Sequence, residues 1–221
     1  MSLFFLKKIK FRYTVGYGMT ECAPLVCYED WSKFKQYSVG KPLPLMEVKI
    51  DSNDPVNVAG EILVRGENVM SGYYKNIEAT KSAFIEGGWM RTGDIGVLDT
   101  EGNLFIKGRC KTMILGANGQ NIYPEEIEEK LNNLPFVMES LVIDRDNKLF
   151  ALVYPDYDAV DAAGISHDDM DIIMEENRKQ LNTQVGSYEN IAKIILYPTE
   201  FVKTPKRNIR RYLYTNLNIN V

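Results

Sequence analysis

Residues 108–128 read G-R-C-K-T-M-I-L-G-A-N-G-Q-N-I-Y-P-E-E-I-E, and the texture of the chain changes inside them. Upstream, residues 40–107 are rich in glycine and in short β-like runs: MEVKI (46–50), GEILVRG (60–66), GVLD (96–99) and NLFIKG (103–108). Ser52-Asn53-Asp54, Gly87-Gly88 and Thr100-Glu101-Gly102 separate them as turns. Short strands at that spacing predict an antiparallel sheet or distorted barrel. Downstream, Pro124 opens a helical pattern with Ile127, Leu131 and Leu134 on one face. Glu125 and Glu126 fall in its first turn, where negative charge meets the positive end of the helix dipole.

Further along, FVMESLVI (136–143) and KLFALVY (148–154) flank Asp144-Arg145-Asp146-Asn147, a hairpin signal. A second helix is expected over about 168–185, with Met170, Ile173, Met174, Asn177 and Leu181 on one face. His167 falls just before it and reads as an exposed residue of the cap region. KIILYP (193–198) reads as a third strand, followed by a basic tail. The expected fold class is α+β: a β-rich piece over 1–107, a boundary at 108–111, and a small α+β domain over 112–221.

Composition narrows the chemistry. The 221 residues are 45% apolar and 25% charged, an ordinary globular balance for a chain long enough to bury its own core. Lys+Arg is 26 against 30 Asp+Glu, a net charge of −4, so no overall basic field recruits nucleic acid. One histidine excludes a multi-histidine zinc site and argues against a Ser-His-Asp machine. Cys22, Cys27 and Cys110 form no CxxC pair and read as free thiols of a reducing, cytoplasmic setting. No apolar run approaches the roughly 20 residues of a membrane helix. The opening M-S-L-F-F-L-K-K has the wrong polarity for a secretory signal, and Met1 with its neighbours reads as an artificial start.

Three segments carry candidate chemistry. In T-V-G-Y-G-M-T-E (14–21), glycines permit a tight loop and close backbone approach, a threonine hydroxyl can bond phosphate, and a carboxylate offers the oxygen that magnesium prefers. On spacing alone a plain turn is the favoured reading, because the third glycine of a dinucleotide fingerprint is missing. In G-W-M-R-T-G-D-I-G (88–96), Asp94 is expected at a turn entering an apolar strand. There it could accept from a ribose diol or serve as an Asx-turn residue. In 108–128, Arg109 offers a planar fork for phosphate or carboxylate, and Gly116 and Gly119 suit a mobile hairpin.

Taken together, these ordered segments resemble the C-terminal portion of the adenylate-forming (AMP-binding) enzymes, most of all the long-chain fatty-acid–CoA ligases. G-K-P-L-P (40–44), G-E-I-L-V-R-G (60–66) and V-M-S-G-Y-Y-K-N (69–76) extend the resemblance from about residue 13 to about 215. It implies a two-step ligase. A carboxylate attacks the α-phosphate of ATP to give an acyl-adenylate and pyrophosphate, and the thiol of coenzyme A then displaces AMP. By the same resemblance, Tyr17 would stack on adenine, with Gly18 beside the nucleotide. Thr20 would contact phosphate, and Glu21 would help hold magnesium. Asp94 would bind the ribose hydroxyls and Arg109 would sit at the nucleotide. Lys111 takes the hinge position, and the hairpin of Gly116 and Gly119 would serve the coenzyme A step. Thr112 departs from the aspartate common after the hinge, read as a tuning change.

The tail departs further from the family. Its members end K-T-x-x-G-K-I-x-R, whereas residues 203–211 read K-T-P-K-R-N-I-R-R. Arg207 takes the glycine position and Asn208 that of the catalytic lysine. An amide carries no charge, so Lys206, at most about 7 Å away along the chain, is the expected substitute, with Arg207 as a further contributor. A weakened first step is the alternative. Five of these nine residues are basic and Tyr212 and Tyr214 follow, which motivates a nucleic-acid reading. Cations serving the phosphates of ATP and coenzyme A are favoured over it, with no nucleic-acid partner expected.

The family's Ser/Thr/Gly-rich phosphate loop does not occur in these residues. This stretch alone is therefore expected to be inactive, a fragment of a parent enzyme. The expected substrates are a fatty acid, ATP and coenzyme A, with no transmembrane segment and with peripheral membrane contact left open. A ligase for an aryl or short-chain acid, a carrier-protein thiol as acceptor, and a non-catalytic nucleotide- or partner-binding relative are the alternatives.

Overall fold

A computed structural model describes residue 6 and residues 9–116 and 118–215, with only the backbone of His167 and Asp168. The expected artificial start at Met1 therefore lies outside the described residues. The chain divides into two compact units, Met1–Lys111 and Thr112–Val221.

The first unit is built from antiparallel sheet around one core. β1 (Tyr17–Gly18), β2 (Leu25–Tyr28) and β3 (Lys41–Pro42) form a three-stranded sheet. β4 (Met46–Asp51), β5 (Gly60–Gly66), β6 (Phe84–Ile85), β7 (Trp89–Leu98) and β8 (Leu104–Arg109) form a second, in the order β4-β5-β7-β6 with β8 also on β7. Together they make a curled half-barrel whose sheets share Tyr17, Val26 and Cys27 from one side and Ile50, Ile62, Val64 and Met90 from the other. Ile62 and Val64 are fully buried, and each such side chain stabilises the fold by about 1.5–3 kcal/mol.

Two expectations change here. GVLD is no separate strand but the end of the ten-residue β7. Asp94 sits inside β7 rather than at a turn before it. The glycines that signalled a turn accommodate register shifts, between Glu61 and Leu63 against β5 and between Ile95 and Gly96 against β8. A helix that sequence periodicity misses, α1 (Ile77–Ala83), buries none of its residues and so leaves no apolar stripe to read. Its start is fixed by Asn76, whose side chain accepts from the Ala79 N–H.

The second unit opens on a small hairpin of β9 (Ile114–Leu115) and β10 (Asn121–Ile122). α2 (Pro124–Leu131) follows and ends three residues before Leu134, which packs into the core from the succeeding turn. β11 (Val137–Arg145) and β12 (Lys148–Pro155) pair with Arg145 opposite Lys148. The turn is therefore Asp146-Asn147 alone, both with positive φ (50° and 61°), as a two-residue hairpin of matching twist requires. α3 (Tyr157–Ala163) and α4 (His167–Asn182) cross over to β13 (Ile191–Leu196), which runs parallel to β12. Ser166 and Asp169 close a capping box at the start of α4. His167 is thus its first helical residue, and its side chain lies outside the described residues.

Alternation along β11 and β12 divides the core of this unit. Val142, Leu149, Ala151 and Val153 face the helices with Ile127, Leu131, Met170, Met174 and Leu181. Leu141, Ile143, Phe150 and Leu152 face the tail, where Phe201 and Tyr214 cover them. Tyr214 is 3% exposed, packs edge-on to Phe201, and its hydroxyl oxygen accepts from the Val202 N–H at 2.7 Å. Of the two tail tyrosines that motivate a nucleic-acid reading, Tyr214 is thus a core residue, whereas Tyr212 is 65% exposed.

Candidate active site

The loop from Tyr17 to Glu21 owes its shape to close packing. A Cβ on Gly18 would lie 2.2 Å from the carbonyl oxygen of Pro24, so no larger residue fits there. Met19 donates from its N–H to that same oxygen at 2.7 Å, and Thr20–Cys22 coil into a 3-10 turn. Thr20 is exposed and Glu21 half-buried. The Glu21 Oε1 accepts from the Tyr73 hydroxyl at 3.0 Å.

Strand pairing brings the separated segments together. Asp94 lies opposite Arg109 in the β7–β8 ladder, and the Arg109 Nε is 3.2 Å from the Asp94 Oδ1. The other carboxylate oxygen, Oδ2, accepts from the Tyr17 hydroxyl at 2.7 Å. Burial, and next the Asp94 carboxylate, push the Tyr17 hydroxyl far above the usual phenol range, so it stays a donor. At 8% exposure Tyr17 is largely buried against the first unit's core. The Asp94 side chain is 12% exposed and that of Arg109 66%.

Residues that the sequence did not single out hold this arrangement. Glu61 of β5 accepts from the Gly93 N–H at 3.1 Å and from the Arg91 Nε at 2.8 Å. Thr92 donates to the Ile62 carbonyl and accepts from the Asp94 N–H. The thiols behind the loop are inert. Burial pushes Cys22 up to about 11 and Cys27 up to about 12.

Among the described residues no cluster of three His, Cys, Asp or Glu could hold a metal ion by itself. A single half-buried carboxylate beside an exposed hydroxyl fits magnesium all the same. That ion takes one or two protein carboxylates and fills its other positions with phosphate oxygens and water.

The remaining expected residues belong to the second unit, except Lys111, which is exposed at the end of the first. Thr112 donates to the Glu125 Oε1 at 2.6 Å. The hairpin of Gly116 and Gly119 borders a cleft of about 320 Å³ also lined by Lys148, Tyr188 and Asn190. Lys203 bridges to Ile209 through the backbone, and Thr204 to Asn208 closes as a tight turn. In it Arg207 has φ +62°, the left-handed conformation that suits the glycine of the family pattern. Lys206, Arg207 and Asn208 are all exposed. Lys203 is paired with Glu139 at 2.7 Å, and Arg211 grips the buried Glu128 with both terminal nitrogens.

The fold of antiparallel half-barrel and small α+β unit is that of the C-terminal region of adenylate-forming enzymes. O-succinylbenzoate coenzyme A synthetase from Bacillus subtilis, solved with AMP, superposes with a TM-score of 0.77 at 27% identity, covering 97% of this chain and 43% of that one. The same enzyme solved with ATP and a magnesium ion gives a TM-score of 0.75.

Residues 3–74 match the family described as AMP-binding enzyme, so the chain carries part of that family's domain. Long-chain-fatty-acid–CoA ligase FadD15 of Mycobacterium bovis is 35% identical over 217 residues, 89% of this chain and 35% of the relative. The 2-succinylbenzoate–CoA ligase of Bacillus cytotoxicus is 37% identical over 165 residues, 72% of this chain and 34% of the relative. The chain spans about a third of the length of these curated relatives. No described helix is long and apolar enough to cross a membrane.

Proposed function

We propose that the whole protein is an ATP-dependent, AMP-forming acyl-CoA ligase and that this chain supplies part of its nucleotide site and its mobile C-terminal domain. The observation that carries the reading is the convergence of Tyr17, Asp94 and Arg109 from three separate segments, with Thr20 and Glu21 following Tyr17 in the chain. Asp94 holds the ribose hydroxyls, with Tyr17 fixing one of its oxygens and bordering the base alongside Gly18. Arg109, paired to Asp94 and with 66% of its side chain exposed, sits at the nucleotide. Thr20 donates to phosphate. Glu21 would hold magnesium, which when bound neutralises phosphate charge during attack by the carboxylate.

In the second unit, Lys206 supplies the cation that Asn208 lacks, at the point where charge develops between carboxylate and α-phosphate. Lys111 is the hinge about which this domain turns between half-reactions. The hairpin of Gly116 and Gly119, with a ligand-sized cleft beside it, serves thioester formation with coenzyme A. Three free thiols support a reducing, cytoplasmic setting.

The acid is a long-chain fatty acid, a reading supported by alignment to a fatty-acid ligase over 217 residues. A second reading, an aromatic acid such as 2-succinylbenzoate, is favoured by the relative of that name at 37% identity. Competition between the two acids for thioester formation by the whole protein separates them. A kcat/KM for palmitate at least tenfold above that for 2-succinylbenzoate supports the first reading, and the reverse order the second.

A further inference from the structure

The 3-10 turn that carries Glu21 is clamped from one side by a single short segment, residues 68–73. The Asn68 side-chain amide donates to the carbonyls of Cys22 at 2.7 Å and Leu25 at 3.0 Å. The Met70 N–H donates to the Glu21 carbonyl at 2.7 Å. The Tyr73 hydroxyl completes the set on the Glu21 carboxylate itself, 52 residues away in sequence. Three of these bonds fix backbone, and only the last reaches the side chain.

Tyr73 is itself held. Its N–H donates to the Thr80 Oγ1 at 2.9 Å, and that hydroxyl donates on to the Asn76 carbonyl at 2.8 Å. Gly72 has φ +150° and would drive a Cβ to 2.7 Å from the Thr80 methyl carbon, so the chain can pass here only as glycine. The ring is 41% exposed, which leaves Tyr73 little part in the core. A tyrosine whose backbone is pinned, whose ring is partly in solvent and whose hydroxyl meets a carboxylate is placed to orient that carboxylate.

We infer that Tyr73 is a positioning residue for Glu21. Its hydroxyl fixes Oε1 and so holds the Glu21 carboxylate in one orientation, in which it would meet a divalent cation bound with ATP. The inference rests on the reading of Glu21 as the residue that meets the metal. A carboxylate with one oxygen anchored loses less rotamer freedom on binding a cation than one that swings, and this difference appears as metal affinity.

The test uses the whole protein and its Tyr73→Phe and Glu21→Gln variants. Manganese uptake by the enzyme–ATP complex is followed by water-proton relaxation, and the magnesium concentration for half-maximal pyrophosphate release is measured alongside. Tyr73→Phe is expected to weaken manganese uptake about three- to tenfold and to raise the half-maximal magnesium concentration by the same factor. The thermal midpoint and the metal-free ATP affinity are expected to stay where they are. If Glu21→Gln weakens manganese uptake and Tyr73→Phe does not, the positioning role is overturned. A Tyr73→Phe protein that loses stability or kcat with unchanged metal dependence overturns it equally. If Glu21→Gln binds manganese as the parent does, the reading of Glu21 itself fails, and the inference falls with it.

Discussion

The hydroxyl of Tyr17 donates to Asp94 across 2.7 Å, joining residues 77 positions apart on β1 and β7. Arg109 holds the other carboxylate oxygen from the neighbouring strand. An aspartate held on both sides presents a fixed acceptor, which a ribose diol needs if little entropy is to be lost on binding. This pair forms the centre of the proposed nucleotide site.

Tyr17→Phe leaves a nearly buried carboxylate short of a donor, so a loss of about 1–3 kcal/mol in urea unfolding at pH 7 is expected. AMP affinity, measured by calorimetry, should fall about tenfold or less. The alkaline limb changes too. The folded-state value of Tyr17 lies above its ordinary 10.0. Its contribution to stability is complete below pH 10 and is lost as pH rises toward the folded value. Tyr17→Phe should abolish that part of the alkaline loss.

Asp99 sets an acid limb in the first unit. Burial raises its carboxyl, but the Lys35 ammonium at 2.8 Å and bonds from Asn103 and the Glu101 N–H outweigh this and hold it well below the usual range. A depressed value contributes stability that is present above the ordinary 3.8 and lost as pH falls through the folded value. Unfolding curves between pH 5 and about 2 should therefore be flatter for Asp99→Asn than for the parent.

The tail turn separates charge from conformation. Arg207 occupies a left-handed position that costs a side-chain-bearing residue about 1 kcal/mol. Arg207→Gly relieves that strain but loosens the unfolded chain, so a stability gain of no more than about 1 kcal/mol is expected by denaturant unfolding. Lys206→Ala in the whole protein should slow pyrophosphate release about tenfold or more, and Asn208→Lys should restore it. If Lys206→Ala leaves the rate unchanged, Lys206 is not the substitute cation.

Arg211 grips a buried carboxylate. Burial pushes Glu128 up to about 7, with the Arg211 guanidinium opposing that rise. The Val142 N–H also donates to Glu128, at 2.6 Å. Arg211→Ala leaves this carboxyl without its cation, and a loss of about 3 kcal/mol is expected on thermal or urea unfolding. Glu128→Gln together with Arg211→Met should recover much of it, because the buried charge is then gone.

What could be read from the residues depended on the range of the signal. Gly60–Gly66 and the start of α2 at Pro124 follow from local pattern, as do the hairpin of β11 and β12 and the Met170-Met174-Leu181 face of α4. The segments bearing Tyr17, Asp94 and Arg109 were found through their wording, yet nothing in spacing places the Tyr17 hydroxyl on Asp94. That contact depends on which strands pair. Tyr73 and Glu61 were missed for the same reason, since each acts across 30 or more residues. Gly93 and Gly96 disguised a register-shifted strand as a turn. α1 and α3 escaped because they bury no residue and one residue respectively, too few for a period to register.

The proposed activity of the whole protein is activation of a carboxylic acid through its adenylate. The direct measurement follows the fate of ATP when the purified whole protein is given magnesium, coenzyme A and palmitate, with AMP, pyrophosphate and acyl-CoA quantified together. The three are expected in equal amounts, with AMP release collapsing in Asp94→Ala. ADP and phosphate in their place, or nucleotide binding with no turnover on any acid tried, would contradict it.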